Sequence, residues 1–216
     1  VSVDAEEAEF IRLYGPWARR TPADTAELFS EYPGAWWISG GWALEAFTGI
    51  SRPHDDVDPS ILRCELPLLR RYLAGRLDLW TATSGSLKPL PPGDDPTGWA
   101  DTVLPEGCGQ IWTREHALAA WEYDILLSPG TSTTWVYKRD ARITMPMTQA
   151  VWRKDGIAYL QPEIQLLYKA AARRAKDEVD FTSTLPFLDA GRRSWLHTAL
   201  SLTSPGHPWC ERILAG

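Results

Sequence analysis

The chain is short of cysteine, of positive charge and of long apolar runs, and each shortage closes off a class of protein. Its three cysteines, Cys64, Cys108 and Cys210, are far apart and odd in number. They form neither a disulfide framework nor a Cys-x-x-Cys or Cys/His spacing of the kind that binds zinc. Reduced thiols in a cytoplasmic protein are the plain reading. Lys and Arg number 22 against 28 Asp and Glu, a net charge of -6. That balance weighs against a nucleic-acid partner, which would be held by neutralising many phosphates. It suits a cationic small molecule, although modest negative charge also serves solubility. No apolar run approaches the length that spans a bilayer. Asp4, Glu6, Glu7 and Glu9 are the reverse of a basic signal-peptide start. A soluble protein without a membrane partner is expected.

What is present is enough apolar sequence, 44% over 216 residues, to bury one core with at most a small helical appendage. Twelve tryptophans stand out. Such rings either fill cores or line clefts that take flat or sugar-like ligands.

Along the chain, residues 5–14 carry a helical apolar pattern, and Thr21-Pro22-Ala23-Asp24 reads as an N-cap, a proline at the first helical position and an acidic first turn. Residues 35–38 suit a buried strand, and Ser39-Gly40-Gly41 leads from it into a helix that Gly49 closes. A strand is expected over 56–62, with Pro59 pushing it toward a sheet edge or a bulge. Residues 66–73 predict an amphipathic helix with Arg70 and Arg71 outward, and 77–81 a strand. Residues 84–110, rich in Gly, Pro and Asp, read as an exposed loop on a substrate rim. A strand is expected over 121–127 and a hairpin from 135–138 and 142–144. From Gln161 the pattern turns helical. The expectation is an α+β fold: an α/β core over 1–158 with a mixed β-sheet and flanking helices, then a helical C-terminal region over 159–216.

Two short patterns carry chemistry. A strand ending in Ser39-Gly40-Gly41 and opening a helix points backbone N–H groups outward, where a phosphate can approach closely. By itself such a pair is usually a tight turn. Asp56-Val57-Asp58 places two carboxylates two residues apart, on one face if the segment is extended. Oxygen donors of this kind suit hard divalent cations, which retain waters and substrate phosphates. By itself such a pair is usually a solvated strand face. Taken together, they suggest a cradle for a triphosphate beside acids that hold metal against it. A third carboxylate is then wanted from a neighbouring strand. Asp124, set among apolar residues in Trp121-Glu122-Tyr123-Asp124-Ile125-Leu126-Leu127, is the first candidate and Glu122, on its face, the second.

Residues 37–44 and 52–58 together resemble the nucleotidyltransferase superfamily, whose fold is that of DNA polymerase β. More narrowly, they are similar to the aminoglycoside 2″-adenylyltransferase-like proteins. Further matching stretches are 159–169, 176–181 and Pro205-Gly206-His207-Pro208-Trp209, so the resemblance spans residues 35–210. It implies an enzyme that moves a nucleoside monophosphate, AMP from ATP or the equivalent from another nucleoside triphosphate, to a hydroxyl of a small acceptor. An aminoglycoside-like antibiotic would fit, with resistance as one physiological role. It also implies two Mg2+ ions on Asp56, Asp58 and Asp124, and nucleotide contacts from Ser39, Gly40, Gly41 and Lys169.

Lys169 is equally readable as a solvated helix lysine, and Lys176 with Asp180 as a helix-face pair. Glu163 would contact the acceptor, as would Glu122, or else cap its own helix. His54 would orient a metal-site acid or cap a turn. Two features depart from the pattern: a slightly long stretch from Gly41 to Asp56, and Pro59 where an apolar strand residue is usual. A His-Asp phosphohydrolase reading of His54-Asp55 fails, because Pro53 and a strand surround the dyad rather than a helix. A non-catalytic or regulatory module of the same fold, such as a toxin–antitoxin component, is the rival reading. The presence of all three acids favours an enzyme.

Overall fold

The computed structural model describes residues 3–90 and 104–215. Helix α1 (Val3–Tyr14) is followed by α2 (Pro22–Leu28). The Thr21 hydroxyl accepts from the Asp24 N–H, and the Asp24 carboxylate accepts from the Thr21 N–H at 2.7 Å. The reciprocal box read from sequence is therefore formed. Strand β1 (Trp36–Ile38) leads into α3 (Gly40–Thr48), which stops at Gly49 with φ of 73°, a conformation that favours glycine. Then come β2 (Pro59–Leu62), α4 (Leu66–Leu73), β3 (Asp78–Thr83), β4 (Ser86–Leu90), β5 (Gln110–Arg114) and β6 (Tyr123–Ser128). Next are β7 (Thr134–Val136), β8 (Thr144–Pro146), α5 (Met147–Ala150), β9 (Val151–Lys154) and β10 (Ile157–Leu160). Four helices close the described chain: α6 (Pro162–Ala170), α7 (Ala175–Thr184), α8 (Ala190–Thr203) and α9 (Pro208–Ala215). The fold is α+β, as expected.

Contacts divide the chain into two compact units, one of Val1–Gly34 with Asp55–Leu127 and one of Ala35–His54 with Ser128–Gly216. The glycine turn and its helix group with the C-terminal helices, and the acidic segments group with the N-terminal ones.

In the first unit the strands run in the hydrogen-bonded order β4-β3-β5-β6-β2. Helix α4 buries Leu66, Leu69, Arg70 and Leu73, the i, i+3, i+4, i+7 stripe of an amphipathic helix. Arg70 was expected outward on account of its charge. Its position on the stripe decides otherwise. Residues 84–90, expected as loop, hold β4, paired antiparallel to β3 through Thr83↔Ser86 and Leu79↔Leu90. The remainder of that expected loop lies partly outside the described residues, at 91–103. Strand β2 is buried along its length, and Pro59 is its first residue, where a missing N–H costs the ladder least. The expected edge or bulge is not needed.

In the second unit β10 lies between β1, parallel, and β9, antiparallel, which makes the sheet mixed. The β9–β10 hairpin turns on Asp155 and Gly156, with φ of 51° and 80°. Asp-Gly with both φ positive is the preferred two-residue hairpin turn. The expected hairpin at 135–144 is also present, as β7 paired with β8. Phe181 stacks on Trp209 at 4.1 Å in the helical core, and the Trp209 indole N–H donates to Glu178 at 2.7 Å. Of the tryptophans, Trp37, Trp121, Trp135 and Trp209 are fully buried core residues.

Candidate functional site

The glycine turn is built from two different steric demands. Ser39 is buried, extended, and occupies the N-cap place of α3, but its hydroxyl makes no capping bond. Gly40 has φ of 69°, which favours glycine. Gly41 has no room for a side chain: a Cβ there would run into the guanidinium of Arg52 and lie 2.8 Å from Cε1 of His54. The Gly40 N–H donates to Oε1 of buried Gln165 on α6 at 2.9 Å. One donor of the expected anion cradle is thus held by the protein's own carboxamide.

Lys169 lies one turn further along α6, and it is not a solvated helix lysine. It is 6% exposed, with its ammonium 3.1 Å from Asp177 and 2.8 Å from Asp180, themselves 0% and 4% exposed. Asp180 also accepts from Arg52, Nε to Oδ1 at 2.9 Å and Nη2 to Oδ2 at 3.1 Å. Asp177 accepts from the backbone and side chain of Arg174. The result is a chain of alternating charge, Arg52–Asp180–Lys169–Asp177–Arg174. Buried charges persist in this form because each is both paired and hydrogen-bonded. Asp180 therefore pairs with Arg52 and Lys169 rather than with Lys176, which is exposed. Burial pushes the Asp177 carboxyl up, but Arg174 and Lys169 more than offset this and hold it below the ordinary carboxylate range.

His54 performs a local task. Its ring stacks on Trp42 at 4.2 Å, and Nε2 meets Glu45 at 2.8 Å. Burial lowers its basicity despite the pull of Glu45. Glu163 stands in the first turn of α6, where an acid is favoured by the helix dipole. Burial raises its pKa, and its own backbone N–H and Arg192, at 3.4 Å, only partly oppose that.

In the first unit, Asp56 and Asp58 flank Val57, which is completely buried, while both acids are partly exposed. Alternation of this kind sends the two carboxylates to the side opposite the core. They do not sit on a strand, as expected, but in the segment that feeds β2, which begins at Pro59. Strand β6 is the hydrogen-bonded neighbour of β2. It carries Asp124 on its partly exposed face, opposite Trp112 of β5, with Tyr123 and Ile125 buried on the other face. Glu122 is already engaged, its carboxylate 2.6 Å from Arg20. Around Asp124 the sheet face is aromatic. Trp80 and Trp112 are cross-strand partners, Trp17 packs on Trp112 at 5.0 Å, and Arg114 lies over the rings of Trp80 and Trp121.

The donor chemistry of Asp56, Asp58 and Asp124 fits a hard divalent ion. Among the described residues, no group of three or more His, Cys, Asp or Glu side chains is gathered to hold a metal. Magnesium tolerates this, since it is commonly bound by one or two carboxylates plus substrate phosphates rather than by an all-protein cage.

Sequence reasoning passed over Gln165, Arg52 and Asp177. The signal available was spacing: Gln165 and Lys169 stand four apart on one helix and so share a face. Their partners, from 8 to 125 residues away, carry no local mark.

No protein-family model matches the chain, and no curated protein sequence does. Solved structures do. A lincosamide antibiotic adenylyltransferase, LnuA, solved with lincomycin bound, superposes with a TM-score of 0.52 at 13% identity, covering 80% of this chain and 99% of that one. The solution structure of the antibiotic-resistance factor ANT(2″)-Ia gives 0.50 at 11% identity, covering 82% and 86%. The crystal structure of ANT(2″)-Ia with adenylyl-2″-tobramycin gives 0.50 at 13%, covering 82% and 92%. Among the described residues no helix is long and apolar enough to cross a membrane. The chain has the nucleotidyltransferase fold, in the form shared by these antibiotic-modifying adenylyltransferases.

Proposed function

We propose that the protein is a magnesium-dependent nucleotidyltransferase that moves AMP from ATP to a hydroxyl of a small, hydroxylated, cationic acceptor of the antibiotic type. The observation that carries this reading is the acidic pair at the entry to β2 and the third acid on neighbouring β6, within a fold shared with adenylyltransferases. In the reaction the acceptor oxygen bonds to the α-phosphorus, the bond to the β-phosphate bridging oxygen breaks, and pyrophosphate leaves. Asp56 and Asp58 would hold magnesium, and Asp124, as the third acid, would take the proton of the attacking hydroxyl. Bound magnesium would supply charge neutralisation at the phosphates. Ser39 and Gly41 bind the triphosphate through backbone N–H groups and the positive end of α3, while Gly40, whose own N–H is held by Gln165, lets it approach closely. Lys169, buried between two carboxylates, serves the nucleotide at second hand. Glu122 and Glu163 are assigned to the acceptor. The net charge of -6 favours a cation there.

The test is incubation with each nucleoside triphosphate, magnesium and a panel of aminoglycosides, lincosamides and other polyols, with product masses and pyrophosphate read out. A monophosphate adduct is expected. Asp56→Asn should cut turnover at least about a hundredfold, since loss of even an outer partner of a metal ligand costs about 10–100-fold, while the protein stays folded. The rival reading, a binding or regulatory module, draws on the absence of a gathered three-acid group among the described residues. Binding of nucleotide with no pyrophosphate released under any combination would establish that module instead.

A further inference from the structure

The contacts that reach the glycine turn close on themselves within one compact unit. Gly40 is held by Gln165. Gln165 shares α6 with Lys169, Lys169 binds Asp180, and Asp180 binds Arg52 through two hydrogen bonds. The Arg52 guanidinium fills the space a Cβ at Gly41 would need. The path that leaves the turn at Gly40 thus returns to it at Gly41. We infer that Gln165, with Lys169, Asp180 and Arg52, forms a positioning ring that presets the Ser39–Gly41 turn for nucleotide. The inference rests on the proposed transferase reading for its ligand, and on these contacts for the ring.

Three physical points support it. Glycine has the largest backbone freedom to lose, and Gly40 sits at positive φ, so an unbraced Gly-Gly turn would be ordered only when ligand binds. Bracing it beforehand lowers that cost and raises affinity without a new ligand contact. Next, the brace on Gly40 is a carboxamide. A glutamate would hold the same N–H more tightly but would set a negative charge beside an anion site. Finally, the ion chain sets the cations Arg52, Lys169 and Arg174 against the carboxylates Asp177 and Asp180. This leaves a surplus of one positive charge within that ion chain. None of these residues need touch the nucleotide; they act through the two glycines.

The experiment uses the full chain, 15N-labelled. It compares wild type with Gln165→Leu by amide hydrogen exchange at Gly40 and by calorimetric titration with magnesium ATP. Gln165→Met, which keeps the length of the side chain and loses the acceptor, is the second variant should leucine disturb folding. Loss of one such hydrogen bond is worth about a fivefold to tenfold change. The expected result is that much faster exchange at Gly40, unaltered exchange at Ala170 on the same helix, and a Kd for magnesium ATP raised by a similar factor. A merely structural glutamine would shift protection along the whole of α6 and leave the Kd alone. Wild-type binding with the Kd of both variants within twofold of it, or unchanged Gly40 exchange, overturns the positioning ring. Failure of wild type to bind magnesium ATP overturns the transferase reading and this role with it.

Discussion

Lys169→Met is the substitution that most directly weighs the buried ion chain. The ammonium lies 3.1 Å from Asp177 and 2.8 Å from Asp180, and all three side chains are nearly inaccessible. Removing one partner of such a group leaves buried negative charge uncompensated, which costs about 3–5 kcal/mol. Here the lower end applies, because Asp180 keeps Arg52 and Asp177 keeps Arg174. Arg174 compensates weakly, since its side chain is 58% exposed and such a pair contributes about 1 kcal/mol at most. A loss of about 3 kcal/mol, against the 5–15 kcal/mol typical of folded proteins, would be conspicuous. With a urea m-value of about 2–3 kcal/mol/M, the unfolding midpoint should fall by about 1–1.5 M. Urea titrations followed by tryptophan fluorescence and by far-UV circular dichroism would measure it. A lysine that only waited in solvent for phosphate would shift stability by less than about 0.5 kcal/mol when replaced. A midpoint unchanged within error would therefore refute the ion-chain argument.

Other expectations follow from the same unit. Gly41→Ala should destabilise by about 1–3 kcal/mol, because its methyl must displace an Arg52 side chain that two bonds to Asp180 hold in place. A double-mutant cycle with Arg52→Ala should recover at least about 1 kcal/mol of that loss, and strict additivity would show the clash to be unimportant. His207 is buried, with Nδ1 accepting from the Trp209 backbone N–H and Nε2 therefore donating to the Ala170 carbonyl at 3.2 Å. Burial, the larger effect, holds its pKa below the usual value in spite of that carbonyl. Its stabilising contribution is thus complete above about pH 6.5, the unfolded value, and is lost as pH falls from there through the folded pKa. Thermal unfolding from pH 7.5 to 5 should show a shallower decline in His207→Gln than in wild type, and equal slopes would count against the assignment.

Local chemistry was what the sequence displayed openly. The Thr21–Asp24 box, the stop at Gly49 and the strand–glycine–helix order at Ser39 each depend on residues within a few positions, so they could be read directly. The acids were found as a pattern, but not their setting. Pro59 delays the strand until after Asp58, because the missing N–H is best tolerated at a strand's first position. Asp155-Gly156 is a further local signal, the preferred two-residue hairpin turn, joining β9 to β10. Arg70 and Lys169 illustrate the opposite limit. Charge alone suggested solvent for the one and solvent or phosphate for the other, whereas helix position and distant carboxylates put both inside. The partners that decide a charged side chain's environment lie far off in sequence, and no composition or periodicity reports them.

The hydrogen bond from Gly40 to Gln165 joins residues 125 positions apart, and β1 finds its parallel partner at Tyr159. During synthesis, then, the Ser39 turn leaves the ribosome long before the strand and helix that brace it. Contacts of such long span are closed late and slowly, because loop entropy must be overcome before they give anything back. Until α6 emerges, the nascent chain carries an apolar Trp36-Trp37-Ile38 strand without β10 beside it, an interval in which a chaperone would have something to hold.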